Sequence, residues 1–295
     1  MMNTIYYKVA GYRFAVTLPE GQVARILLPS FEPFLCKEGE VLFRVDASRT
    51  GCTERKGGRL LEEAVNDMGH TRLMETEGGY RVELFFGEDS LTALTHVMDC
   101  DRDFTSPSLF IHWEDGYAKE ALCSFLRILY GQAIAMHDGI SIHAAVVKLD
   151  GKGYLFMGKS GTGKSTHARM WRRAFENCEL LNDDNPTLRI TENGVWVYGT
   201  PWSGKTPCYI NEGIPVGALF RLKQAPENIY TPLEDIQAFV ALLPGCSSIP
   251  SHAGQYEKLC DNLLHIVSSV PVGEMKCLPN EEAAKVAREA VSDER

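Results

Sequence analysis

Up to about Trp113 the chain is a series of short runs rich in β-branched and aromatic residues, set apart by Gly, Asp and Ser clusters, and this pattern predicts strands. The runs cover residues 4–16, broken by Gly11, and then 40–45, 80–86 and 109–113. Residues 59–68 read as a short helix. From 117 to 136 the period changes. Ala118, Leu122, Phe125, Leu126, Leu129 and Ala133 recur at helical spacing, which puts them on one face. His137-Asp138-Gly139 stops that helix, with Gly139 suited to a left-handed cap. A strand over 140–149, the turn Asp150-Gly151 and a second strand over 154–157 then form a hairpin signal. Along the first of these strands Ile140 and Ile142 share one face, and Ser141 and His143 share the other. A boundary between Trp113 and Tyr117 gives a mainly-β first domain, 1–115, and a second domain, 116–295.

Composition adds limits. The 295 residues are 44% hydrophobic and 23% charged, enough apolar material for a core, which excludes collagen-like, low-complexity and disordered classes. A net charge of -9 leaves no general attraction for nucleic-acid phosphates or anionic membranes. The nine cysteines include no C-x-x-C pair, and an odd number cannot all pair within one chain, so reduced thiols in a cytoplasmic protein are expected. Residues 1–7 lack the build of a signal peptide, and no apolar stretch approaches the length of a spanning helix. Neither nucleic acid nor membrane is therefore an expected partner. Asp99, Asp101 and Asp103 lack the Gly and distal Glu of a calcium loop and read as a solvated acidic turn.

Candidate chemistry starts where the second hairpin strand runs into Gly158-Lys159-Ser160-Gly161-Thr162-Gly163-Lys164-Ser165-Thr166, a full match to G-x-x-x-x-G-K-S/T. Glycines at these positions let backbone N–H groups turn inward around a phosphate without Cβ clashes. Lys164 would reach the β- and γ-phosphates, and the Ser165 hydroxyl would ligate Mg²⁺. A helix starting at Lys164, with Ala168, Trp171 and Phe175 inward, would aim its positive end at the anion. Residues 199–206 match the same pattern, but Pro201 has no N–H to offer and Pro207 follows, so this second match is read as a decoy.

One helix later comes Glu179-Leu180-Leu181-Asn182-Asp183-Asp184-Asn185-Pro186. A right-handed crossover would bring this short strand beside the one that feeds the loop, with both aspartates at the same sheet edge. One of them would hold Mg²⁺ and the other would accept a proton from an attacking hydroxyl. The bland alternative is a solvated turn. Among cations, Lys205 follows Trp202-Ser203-Gly204 and is placed to steady a transferring phosphoryl; Arg221 and Lys223 flank a strand over 218–222. The tail, 281–291, reads as a packing helix capped by Asn280.

The order His143, then Gly158 to Ser165, then Asp183-Asp184 resembles the catalytic half of HPr kinase/phosphorylase, a family that shares its fold with phosphoenolpyruvate carboxykinase. The motif-level resemblance covers 140–188. Trp202-Ser203-Gly204 and Val270-Pro271-Val272 extend it more loosely, and there it looks like HPr-kinase-like proteins without the carrier-protein specificity, some of which accompany peptide processing. The resemblance implies an α/β fold: a P-loop kinase core with a mixed β-sheet and flanking helices, preceded here by the mainly-β domain. It implies nucleotide and metal at Lys164 and Ser165, metal contact and base from Asp183 and Asp184, and His143 close to the transferred phosphoryl. The chain departs from the family at 195–199, where Val195-Trp196-Val197-Tyr198-Gly199 offers no carboxylate for Mg²⁺. The first domain shows no resemblance to the regulatory kinase's own.

The resulting expectation is a Mg²⁺-dependent, ATP-binding phosphotransferase acting on a hydroxyl of a small molecule, peptide or protein serine, and the resemblance adds a homo-oligomer as a candidate partner state. Two alternatives stay open: a nucleotide-binding sensor or assembly module without transfer, and a hydrolytic NTPase.

Overall fold

Ala10 and Gly11 take φ of 50° and 86°, as a two-residue hairpin turn requires, and join β1 (Asn3–Val9) to β2 (Tyr12–Leu18). The computed structural model describes residues 3–47, 58–66, 69–86 and 94–292. Two compact units divide the chain, 1–133 and 134–295.

The first unit carries one mixed sheet. After α1 (Ala24–Leu27) come β3 (Arg44–Asp46), β4 (Arg59–Asn66), β5 (Gly69–Thr76), β6 (Gly79–Phe85), β7 (His96–Asp101) and β8 (Ser108–Phe110), in the spatial order β1-β2-β3-β8-β7-β6-β5-β4. Residues 59–66 are thus strand, not helix; Asp67 and Met68 lie outside the described residues. β4 pairs with β5 from Arg59 opposite Glu75 to Asn66 opposite Gly69, with a bulge at Leu61, and that ladder overrides the weak helical spacing. The strand expected over 40–45 shrinks to β3. Asp99 pairs with the buried Arg81 at 2.7 Å, and Asp101 accepts from the Thr105 and Ser106 N–H groups, so the acidic run closes a turn.

The helix α2 (Ala118–Ala133) falls in the first unit, whereas the sequence boundary groups it with the second. Its apolar stripe decides this: Tyr130 packs against Tyr12 and Phe14, and its hydroxyl donates to Val9 O. The chain turns at Asp138, with φ 60°, rather than at Gly139, which already belongs to a strand.

The second unit is a mixed sheet between two helical layers. Its strands are β9 (Gly139–Ser141), β10 (Ala144–Leu149), β11 (Lys152–Met157), β12 (Glu179–Asn182), β13 (Thr187–Thr191), β14 (Gly194–Tyr198), β15 (Gly213–Gln224), β16 (Ile229–Pro232) and β17 (Val272–Cys277). Its helices are α3 (Lys164–Ala174), α4 (Asp235–Leu242), α5 (Ala253–Ser269) and α6 (Glu281–Ala290). The order runs β12-β10-β11-β15-β14-β13-β9, with β17 beside β15 and β16 beside β17. One face buries Val146, Leu155 and Leu219 against Leu263 and Ile266 of α5; the other buries Phe156 and Phe220 against Trp171 of α3 and Ala287 of α6. Asn280 caps α6 by accepting from Ala283 N at 3.0 Å.

The strand expected over 140–149 is broken in two. β9 pairs with β13, whereas β10 pairs with β11 and β12, so the chain crosses between the two halves of the sheet at Ile142 and His143.

Candidate functional site

Asp150 and Gly151, with φ of 53° and 74°, turn β10 into β11, and Ala144 at the start of β10 lies opposite Met157 at the end of β11. β11 then feeds the 158–163 loop and α3 follows at Lys164, as the pattern predicted. Gly161 and Gly163 stand at φ 79° and 108°, open to glycine at little cost. A Cβ on Gly158 would approach Thr162 to 3.0 Å. Lys164 is buried and folds its ammonium back over the loop, donating to Gly158 O at 3.1 Å. Ser160 and Ser165 are exposed, and Thr162, Gly163 and Thr166 are half-buried. Arg172 and Arg173 at the far end of α3 suit its dipole.

The second acid-bearing segment does not lie directly beside β11. β12 pairs antiparallel with β10, which stands between them because the two-residue turn hands that edge of β11 to β10 first; β15 takes the other edge in parallel. The carboxylates still reach the loop's end of the sheet: β12 runs parallel to β11, and Ala144 N donates to Asp184 O at 3.0 Å.

Asn182 builds the turn that presents them. Fully buried, it accepts from the N–H groups of Asp184 and Asn185 at 3.0 and 2.9 Å and donates to Thr200 Oγ1 and Trp202 O. Asp183 and Asp184 are 4% and 7% exposed. Asp183 Oδ2 accepts from Thr206 N at 3.2 Å, while its Oδ1 is buried with no hydrogen-bond partner. Asp184 Oδ1 lies 3.1 Å from Nδ1 of His143, whose backbone N–H is held by Gly245 O. The chain break that splits the expected strand thus places His143 against Asp184.

The decoy match has its own place. No helix follows Gly199–Thr206; the coil lies instead against the acids, so that a Cβ on Gly204 would meet Asp183 O at 2.9 Å. Lys205 is exposed on this coil, one residue before the Thr206 N–H that binds Asp183. Arg221 lies opposite Met157, and Lys223 pairs with Glu274. The sequence pattern does not single out Asn182, Thr200 or Thr206 as site residues. For Asn182 a signal existed, since an Asn side chain readily bonds the backbone two residues on.

The unpartnered Asp183 Oδ1, the neighbouring Asp184 and, at the same end of the sheet, the Ser165 hydroxyl are oxygen donors of the kind that suit Mg²⁺. Among the described residues no group of three or more His, Cys, Asp or Glu side chains is placed to hold a metal ion. His167, on the second turn of α3, is buried; desolvation pushes its pKa down to about 4, and its Nε2 accepts from Trp171 Nε1 at 3.1 Å. Among the described residues no helix is long and apolar enough to cross a membrane, and the eight cysteines there are free thiols.

A family model described as SynChlorMet cassette protein ScmC matches residues 120–259. No curated protein matches the chain. Among solved structures it is weakly similar to the Hpr(Ser) kinase/phosphatase from Coxiella burnetii, at 13% identity and a TM-score of 0.31 over 51% of this chain and 89% of that one.

Proposed function

We propose that this chain is a Mg²⁺-dependent phosphotransferase that binds ATP through the 158–166 loop and transfers its γ-phosphoryl to a hydroxyl. The observation that supports it most is Asp183: a buried carboxylate oxygen without a donor, at the sheet edge that also holds the Lys164 loop and the Asp184–His143 pair. Burying an ionisable group with an idle oxygen is costly unless a ligand completes it.

In this reading the loop N–H groups and Lys164 hold the β- and γ-phosphates, the ammonium exchanging its carbonyl contacts for phosphate oxygens. Asp183 and Ser165 hold Mg²⁺, with Asp184 as a further ligand candidate; bound there, the ion would neutralise phosphate charge. Asp184, steadied by His143, accepts the proton as the acceptor oxygen forms its bond to phosphorus and the bridging bond to ADP breaks. Lys205, one residue before Thr206 on the coil, would offset charge on the transferred group. The acceptor is a hydroxyl of a small molecule, peptide or protein serine, and a homo-oligomer is compatible with this arrangement.

Calorimetry with ATP and Mg²⁺, joined to ATP consumption with and without a cell extract of small molecules and peptides, tests the reading. Binding should fall at least about tenfold in Lys164→Ala, since a charge-assisted phosphate contact is lost. Extract-dependent consumption should vanish in Asp184→Asn while nucleotide binding persists. Phosphate release independent of extract would make the chain a hydrolytic NTPase, and binding without turnover would make it a sensor. Absence of binding overturns the proposal.

A further inference from the structure

Strand order gives the site a direction. Along β12-β10-β11-β15-β17 the phosphate loop sits at the end of β11, and the acids sit to one side at the end of β12. On the other side, between α3 and the ends of β15 and β17, lies a cleft of about 370 Å³. That is at the small end of the roughly 300–1,000 Å³ usual for small-molecule sites. A nucleotide with its β-phosphate in the loop and its γ-phosphate towards the acids sends its nucleoside the opposite way, to the side of β15. There this cleft has the apolar walls, and the neighbouring cavity at the loop carries Arg221 and Lys223.

The walls of the cleft are mostly apolar where a base would lie: Ala225, Cys277, Leu278 and Pro279. Several of the polar groups there are already engaged. Gln224 Nε2 donates to Gly161 O and Thr162 O, strapping the loop tip to the end of β15. Cys277 O accepts from Ala225 N, Leu278 N donates to Asn228 Oδ1, and the Nε2 of His167 is taken by Trp171. Among the described residues no Asp or Glu lines the cleft, so no carboxylate accepts from the N–H groups of a guanine edge.

We propose that this cleft takes the nucleoside end of the donor and holds the base by apolar contact without reading its polar edge, so that adenine and guanine nucleotides bind alike. The inference rests on the phosphate-binding reading of the 158–166 loop.

Calorimetry of the full chain with ATP, GTP and inorganic tripolyphosphate, each with Mg²⁺, separates the two ideas. ATP and GTP should bind within about tenfold of each other, and both at least about tenfold tighter than tripolyphosphate, because only they bury apolar surface in the cleft. Leu278 is 36% exposed, so Leu278→Gln leaves the core intact. That variant should weaken both nucleotides alike, by about fivefold, and leave tripolyphosphate unchanged. A preference for one purine beyond about tenfold, or tripolyphosphate binding as tightly as the nucleotides, overturns the cleft assignment while sparing the loop. Failure of all three to bind overturns the loop reading and this inference with it.

Discussion

His167 illustrates how a single residue links the candidate site to stability. Its ring is enclosed by Phe156 and Trp171 on the face that packs α3 to the sheet, and burial holds its pKa at about 4, against roughly 6.5 for an unfolded histidine. Between those values the unfolded chain takes up a proton that the folded chain refuses. Stability is therefore complete above about pH 6.5 and is lost as the pH falls towards about 4, by a few kcal/mol at most. Urea midpoints of wild type and His167→Gln should diverge in slope across that window, the variant being flatter. His96 in the first unit is also shifted down by burial, so only the difference between the two proteins reports on His167. Parallel slopes would exclude His167 as the source.

At the scale of elements, the coil between β14 and β15 is held close to β12 by an absent side chain. A Cβ on Gly199 would stand 2.1 Å from Ile210 O and 3.1 Å from Leu181 O, both backbone atoms that cannot rotate away. Gly199→Ala should therefore lift the coil from β12, separating Thr206 N from Asp183 and Trp202 O from Asn182. Overpacking of this kind costs about 1–3 kcal/mol, measurable by urea denaturation. ATP consumption should fall with it, because the turn carrying Asp183 and Asp184 loses its outer support. A variant as stable and active as wild type would show that the coil does not position the acids. No local pattern pointed to this contact: residues 199–206 resemble a phosphate loop, and their role here comes from what they lie against.

The chain divides into two compact units. Both apolar clusters of the second unit draw only on residues from Ile140 onward, including Val146, Leu219 and Ile266 on one face and Trp171, Phe220 and Ala287 on the other. A fragment of residues 134–295 is thus expected to unfold in one cooperative transition and to retain binding of ATP with Mg²⁺. A fragment without a cooperative transition would show that residues before 134 are needed for folding. The sequence boundary at 115 differs from the structural one by one helix, because spacing shows which face of α2 is apolar but not which sheet will cover it.

Short-range chemistry was determined by the sequence alone. The Asp150-Gly151 hairpin, the glycine loop, the start of α3 at Lys164 and the Asn280 cap each depend on residues a few positions apart, where backbone preference and side-chain reach suffice. The tertiary structure decided the rest. It made 59–66 a strand by pairing it with β5, interposed β10 between the loop and the acids, and broke the 140–149 strand so that His143 meets Asp184. It also set Thr206 against Asp183, 23 residues away, and Thr200 against Asn182, 18 residues away. Such pairings are selected by which partners the packed chain brings within hydrogen-bond distance, a global energy that no local pattern of residues encodes.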